Sequence, residues 1–171
     1  MPTLEELRET RIKKLNNLKE KGVNPYPAGT SRVHGVKLVL KNFRFWRLYK
    51  TLNLAGRIKT VRIHGKAAFF DIEDGSGKIQ CFLNPADLAD KKSYDEFISG
   101  YDIGDFVEAS GSLFKTKKGE KTLRVFKIRL IVKSLLPLPE KWHGLKDVEE
   151  RYRHRYLDIL MNPEVKEKFL L

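Results

Sequence analysis

From about residue 52 to residue 132 of this 171-residue chain, apolar and polar side chains alternate with a period of two, and nothing else in it constrains the fold as strongly. Short turn sequences divide the alternation. His64-Gly65 separates a first strand over 54–63 from a second over 66–73. Asp74-Gly75-Ser76-Gly77 leads into a third over 78–84, and Lys118-Gly119-Glu120 joins a fourth, 105–115, to a fifth, 122–132. Between the third and fourth strands, residues 85–100 read as a helical or looped insert with Tyr94, Phe97 and Ile98 facing inward. Hydrophobic residues make up 41% of the chain, enough for a real core. No apolar run approaches the roughly 20 residues that a membrane span needs, so no membrane partner is expected.

Five strands with a helical insert after the third predict a mainly β fold with flanking helices. The architecture that fits is a five-stranded Greek-key barrel of the OB type, preceded by an N-terminal helix. That helix is expected over 3–21. Thr3 and Glu6 form a capping box, and Leu4, Leu7, Ile12, Leu15 and Leu18 fall mostly on one face. Gly22 and Asn24-Pro25-Tyr26-Pro27 end it. In the segment 28–50, Val36, Val39, Phe43 and Trp46 form an apolar stripe beside Lys37, Lys41, Arg44 and Arg47, which fits a basic amphipathic helix packed on the barrel. Leu136-Pro137-Leu138-Pro139 is a stiff linker. After it, Asp147 can cap a helix with Val148, Tyr152, Tyr156 and Ile159 on one side. Asn162-Pro163-Glu164 opens another helix. That last helix would end on Phe169-Leu170-Leu171 with nothing to pack against, which reads as truncation. The expected organisation is therefore 1–50, helix and basic segment; 51–135, barrel; 136–171, linker and the start of a further domain.

The formal net charge is +12, and residues 1–50 carry 12 basic against 4 acidic side chains. An excess of this kind favours a polyanionic partner, and charge alone does not choose between RNA, DNA and an anionic membrane surface. Arg8, Arg11, Lys14 and Lys21 lie on the polar face of the first helix, either as a solvated face or as phosphate contacts; Arg8 and Arg11 are the candidates for RNA. His34, His64, His143 and His154 lack metal-ligand spacing, and the single Cys81 reads as core. No catalytic dyad and no phosphate-cradling glycine loop is found, so no cofactor is expected for this chain. One cysteine and a charged N-terminus without an apolar leader point to the cytosol.

Alternation assigns the strand faces. Ala68, Phe70, Ile72, Ile79, Cys81 and Leu83 point into the barrel; Phe69, Asp71, Gln80 and Phe82 point out. Phe69 thus lies on a polar face, covered by the segment 36–49 or offered as a stacking platform for an unpaired base. OB barrels bind oligonucleotides on the face of their second and third strands. Gln80 is expected beside Phe69, with Arg62 near the first hairpin. These groups suit uracil, whose O2 and O4 accept and whose N3–H donates: Arg62 donates, Gln80 does both, and Glu120 accepts.

The runs Ala55-Gly56-Arg57-Ile58, Arg62-Ile63-His64-Gly65-Lys66-Ala67-Ala68-Phe69 and Asp74-Gly75-Ser76-Gly77-Lys78-Ile79-Gln80 resemble class II synthetases with an N-terminal OB domain. Pro137 to Leu145 (PLPEKWHGL) and Glu150 to Asp158 (ERYRHRYLD) are similar to the lysyl-tRNA synthetases among them. Lys115-Thr116-Lys117-Lys118-Gly119-Glu120 and the run 19–27 agree. The resemblance implies tRNA anticodon recognition in the service of a lysine–tRNA ligase. It implies Phe69 stacked on the central uracil, Arg62 and Gln80 hydrogen-bonded to it, and Glu120 defining the pocket. It also implies a lysine tRNA partner, ATP and magnesium for the intact enzyme, and a homodimer built mainly by a catalytic domain that does not follow here. This chain by itself is not expected to be an enzyme. Two other readings stay open. A stand-alone single-strand-binding protein does not account for 145–171, and an aspartyl or asparaginyl relative would keep the uracil pocket but not the 137–145 run. The segment 28–50 departs from the family, which has a more acidic spacer there.

Overall fold

The computed structural model describes residues 2–49, 51–138 and 147–169. The motif residues Pro139 to Leu145, and the closing Leu170 and Leu171, lie outside the described residues. The chain divides into two compact units, residues 1–136 and 137–171.

In the first unit the alternating residues form five strands: β1 (Leu52–His64), β2 (Ala67–Glu73), β3 (Lys78–Leu83), β4 (Phe106–Lys115) and β5 (Lys121–Val132). They close into a barrel in the order β1-β2-β3-β5-β4. The β3–β5 pair is parallel; the other four are antiparallel. Closure depends on β1 serving two neighbours. Residues 52–57 pair with β4 and residues 57–64 with β2. Gly56 sits at that changeover, where an added Cβ would come 2.8 Å from the Glu73 carbonyl oxygen. Gly111 marks the register shift between β4 and β5, and a Cβ there would come 1.9 Å from the Arg124 carbonyl oxygen, so only glycine fits.

The face assignment follows the alternation. Ala68, Phe70, Ile72, Ile79, Cys81 and Leu83 are all core residues, and α4 (Lys92–Gly100) packs Phe97 on Phe70 with ring centroids 4.8 Å apart. Burial, then the Asp71 charge, pushes the Cys81 thiol far above its usual range, so it stays a protonated core side chain. Helix α1 (Leu4–Glu20) begins on the expected capping box: Thr3 N–H donates to Glu6 Oε2 at 2.7 Å and Glu6 N–H to Thr3 Oγ1 at 3.2 Å. Leu15 and Leu18 bury its apolar face.

The segment 28–50 holds two short helices rather than one, α2 (Val36–Lys41) and α3 (Phe43–Trp46). Between them Asn42, at φ −105° and ψ 35°, leaves the helical region. Val36, Val39 and Phe43 still enter the barrel core as the apolar stripe requires. Asp74 anchors the segment to the β2–β3 turn. Its carboxylate accepts from Ser76 and Gly77 N–H at 2.7 and 2.9 Å, from Val36 N–H at 3.0 Å and from Arg32 Nη2 at 2.8 Å.

In the second unit, Asp147 caps α5 (Val148–Arg153) by accepting from Glu149 and Glu150 N–H at 2.7 and 3.2 Å. The expected apolar side does not form. The helix breaks at His154, α6 (Arg155–Met161) and α7 (Pro163–Lys168) follow, and Val148, Tyr152 and Tyr156 are exposed. The buried acceptor is Asp158, which takes hydrogen bonds from Arg151 Nε, Arg155 Nη1 and Asn162 Nδ2 at 2.9, 2.8 and 2.6 Å.

Candidate nucleic-acid interface

The outward residues of β1, β2 and β3 lie in two rows across the barrel. The first is aromatic. Phe69 has His64 at 6.2 Å and Phe82 at 4.9 Å between ring centroids; Phe82 has Phe114 at 6.1 Å, and the Arg124 guanidinium lies 5.2 Å from the Phe114 ring centroid. The second row is polar. Thr60 Oγ1 donates to Asp71 Oδ2 at 2.8 Å, Asp71 faces Gln80 across β2 and β3, and Thr122 Oγ1 donates to Gln80 Oε1 at 2.9 Å.

The neighbour directly across from Phe69 on β3 is Phe82, and Gln80 lies one non-adjacent pair along, opposite Asp71. Across from Phe69 on β1 is Arg62. Arg62 is exposed and its nearest acid is Asp71, with Nη2 3.9 Å from Oδ1. That separation is too long for a firm hydrogen bond, so the guanidinium keeps open donors. Gln80 differs: the Thr122 hydroxyl engages its amide oxygen, and its amide nitrogen has no hydrogen-bond partner among the described residues. Glu120 stands exposed at the β4–β5 turn, where its N–H donates to Thr116 Oγ1 at 3.1 Å and its carbonyl accepts from Thr116 N–H at 3.0 Å. Arg62, Phe69, Gln80 and Glu120 therefore share one side of the barrel. The α2 end of the basic segment docks at the other end of β2, on the Asp74–Gly77 turn.

Arg8 and Arg11 belong elsewhere. Arg8 is exposed on α1. Arg11 donates through Nη1 to the carbonyls of Ser134 and Leu136 at 3.0 and 3.3 Å and through Nη2 to that of Ile103 at 3.0 Å. A guanidinium so occupied ties the helix to the barrel and has little left for a phosphate. Read from sequence as a phosphate contact, Arg11 takes a docking role here, because its acceptors come from the segment after β5 and from the α4–β4 loop.

Sequence reasoning did not single out Phe82, Phe114, Asp71 or Thr122 as partners of this face. The signal for Phe82 and Phe114 was the one that selected Phe69: an aromatic at an outward parity. Asp71 and Thr122 needed the strand register, which one sequence does not carry. Among the described residues, no group of three His, Cys, Asp or Glu side chains could hold a metal ion, and no helix is long and apolar enough to cross a membrane.

Comparison with known proteins matches residues 52–131 to the OB-fold nucleic acid binding domain family. The chain is also similar to lysine–tRNA ligases of several bacteria. It is 46% identical over 168 residues to that of Carboxydothermus hydrogenoformans, covering 98% of this chain and 34% of the relative. The Dehalococcoides mccartyi protein is 47% identical over 171 residues, covering 97% and 34%, and the Roseiflexus protein 45% over 168 residues, with the same coverage of 97% and 34%. The chain thus spans about a third of the length of the relatives it matches. A closed five-stranded barrel, an outward aromatic row where such barrels take bases, and near-complete coverage of this chain by these relatives lead to one assignment: the chain is an OB-fold anticodon-binding domain that matches the N-terminal part of lysine–tRNA ligases.

Proposed function

We propose that the outer face of β1–β3 reads the central uracil of a lysine tRNA anticodon. One observation carries this reading: Phe69 is an outward aromatic flanked by two open donors, Arg62 directly across β1 and the Gln80 amide on β3. The ring supplies a stacking surface that any base can use. The donors supply the selection. Uracil O4 accepts a hydrogen bond from an amide nitrogen. Cytosine presents an amino group at the same position, and two facing donors are both left unpaired, at a cost of about 1–3 kcal/mol. The Thr122 hydroxyl takes the Gln80 amide oxygen, which leaves the amide nitrogen to donate, and the exposed Glu120 carboxylate is an acceptor for N3–H.

The larger proposals follow from the relatives. The intact protein is proposed to be a cytoplasmic, homodimeric lysine–tRNA ligase that uses ATP and magnesium in a domain other than this barrel. Within it, this chain supplies tRNA selection.

The test titrates the 171-residue chain with a lysine-type anticodon stem–loop RNA and with the same RNA carrying cytosine at the central position. The expected preference for uracil is about tenfold to hundredfold. Gln80→Ala should shrink that preference more than it weakens binding to the uracil RNA. Equal affinity of the unaltered chain for the two RNAs would contradict uracil reading and leave only a base-tolerant stacking surface.

A further inference from the structure

A hollow of ≈ 490 Å³ lies between the α2–α3 segment and the start of β5, floored by Phe43 and Phe45 and lined by Lys41, Arg44, Lys115 and Lys121. No carboxylate lines it. Packing the barrel end accounts for Val36, Val39 and Phe43, which are buried, but not for the cations above them. Lys121 is held in place: Nζ donates to the Leu40 carbonyl at 2.9 Å and sits 5.5 Å from the Phe43 ring centroid. Lys41, Arg44 and Lys115 are exposed, and their side chains make no hydrogen bond or ion pair to a described residue. Like charges gathered around one concavity repel one another and raise the local potential for an anion.

The hollow adjoins the base-reading face. Gln80 is bonded to Thr122, Thr122 follows Lys121 in β5, and Lys121 pairs with Lys115 across β4. An RNA strand that passes from Gln80 toward the β4–β5 turn meets the end of the barrel where Lys115 and Lys121 stand.

We propose that this hollow is a binding site for backbone phosphates of the same RNA, a reading that rests on the anticodon face described above. The basic segment 28–50 then has two roles: its apolar stripe closes the barrel end, and its cations, with those of the β4–β5 hairpin, hold the RNA backbone. Exposed Phe45 and Leu48 beside the cations would also suit an anionic lipid surface. RNA is favoured because Lys115 and Lys121 flank the β4–β5 turn that carries Glu120, and because the cations line a concavity, not a flat apolar face.

The experiment compares the 171-residue chain with the triple variant Lys41→Gln, Arg44→Gln, Lys115→Gln, and with a charge-retaining swap, Lys41→Arg, Arg44→Lys, Lys115→Arg. Each is titrated with the lysine-type stem–loop over a range of salt concentrations. For every phosphate that is no longer neutralised, the dependence of log affinity on log salt should flatten by roughly 0.7–0.9. The triple glutamine variant should show a total slope shallower by about 1–2 and bind about tenfold or more weakly at low salt. The swap should behave like the unaltered chain. The preference for uracil over cytosine should not change, and thermal melts should coincide because the three positions are exposed. An unchanged slope in the glutamine variant overturns the proposal, as does an equal loss in the swap. Phosphatidylserine vesicles form the second arm. Vesicle binding that the glutamine variant loses while its RNA slope is unchanged makes the surface a lipid site and overturns the proposal too. A flattened slope alongside a Phe69→Ala variant with unaltered RNA affinity keeps the phosphate site and removes the base-reading role of Phe69.

Discussion

Two polar regions of the first unit contain the same kinds of residue and use them in opposite ways. Where α1 meets the barrel, donors and acceptors are matched. Lys133 is fully buried, with Nζ 2.5 Å from Asp102 Oδ2 and 2.8 Å from Asp105 Oδ2. Lys14 reaches Asp102 Oδ1 at 2.6 Å, Ser134 N–H donates to Asp105 Oδ1 at 2.8 Å, and Arg11 is taken up by three carbonyls. On the outer face of β1–β3, Arg62 has only a 3.9 Å approach to Asp71, and the Gln80 amide nitrogen has no hydrogen-bond partner among the described residues. A matched network fixes one element on another; an unmatched set of donors on a rigid sheet is pre-organised for a partner that brings its own acceptors. The two regions should therefore respond to mutation through different readouts, stability for the seam and RNA affinity for the face.

The largest effect expected at the seam comes from Lys133→Ala. Removing the buried cation leaves Asp102 and Asp105 without their shared partner, and breaking such a pair costs about 3–5 kcal/mol. Urea unfolding should show that loss, while any RNA binding at temperatures where the variant is folded keeps its uracil preference. A stable variant with altered base preference would join the seam to the recognition face and break the distinction.

A smaller effect is expected from Arg11→Ala. Three carbonyl oxygens lose their donor, and hydrogen bonds to a charged group contribute about 1.5–3 kcal/mol, part of which water restores at this half-exposed site. Stability should fall within or below that range, with the salt slope of RNA binding unchanged. A flattened slope with unchanged melting would return Arg11 to the phosphate-binding residues.

The smallest effect is acid sensitivity. Burial alone would raise the Asp102 carboxyl, but hydrogen bonds from Lys133 and Lys14, and their charges, outweigh it and hold the group below its ordinary 3.8. Burial likewise opposes, and hydrogen bonds outweigh, at Asp74 against 3.8 and at Glu108 against 4.5; the donors there are chiefly Ser76 and Arg129. A carboxyl depressed in the folded state stabilises fully above its unfolded value and loses that contribution as pH falls through the folded one. Stability should therefore decline as pH drops below about 4.5, the highest of these ordinary values. Asp102→Asn should start lower at neutral pH and fall less on acidification. An identical acid slope in that variant would remove Asp102 from the account.

Much of the barrel could be read from the sequence because its physics is local. Period two places Phe70 inside and Phe69 outside without knowledge of any partner strand, and Thr3 with Glu6 starts α1 by contacts within one turn. What could not be read depends on register and tertiary acceptors. Nothing in the chain order puts Asp71 opposite Gln80 or Thr122 beside it. Arg8 and Arg11 look alike in sequence, and only the carbonyls of Ile103, Ser134 and Leu136, about a hundred residues away, separate them. Asn42 splits the expected helix of the basic segment because both halves must lie against a curved barrel end, which helical periodicity does not encode.

The most direct test of the recognition face is a paired melt and titration of Phe69→Ala and Phe70→Ala. The two side chains are neighbours in β2, with Phe70 fully buried and Phe69 half-buried on the outer face. Phe69→Ala should melt close to the unaltered chain and bind the lysine-type stem–loop about tenfold to hundredfold more weakly, since base–aromatic stacking contributes about 1–3 kcal/mol. Phe70→Ala should lose about 3–5 kcal/mol of stability, as core truncations do. A Phe69→Ala variant that unfolds, or that folds and binds the RNA with undiminished affinity, would contradict the assignment of this face to RNA.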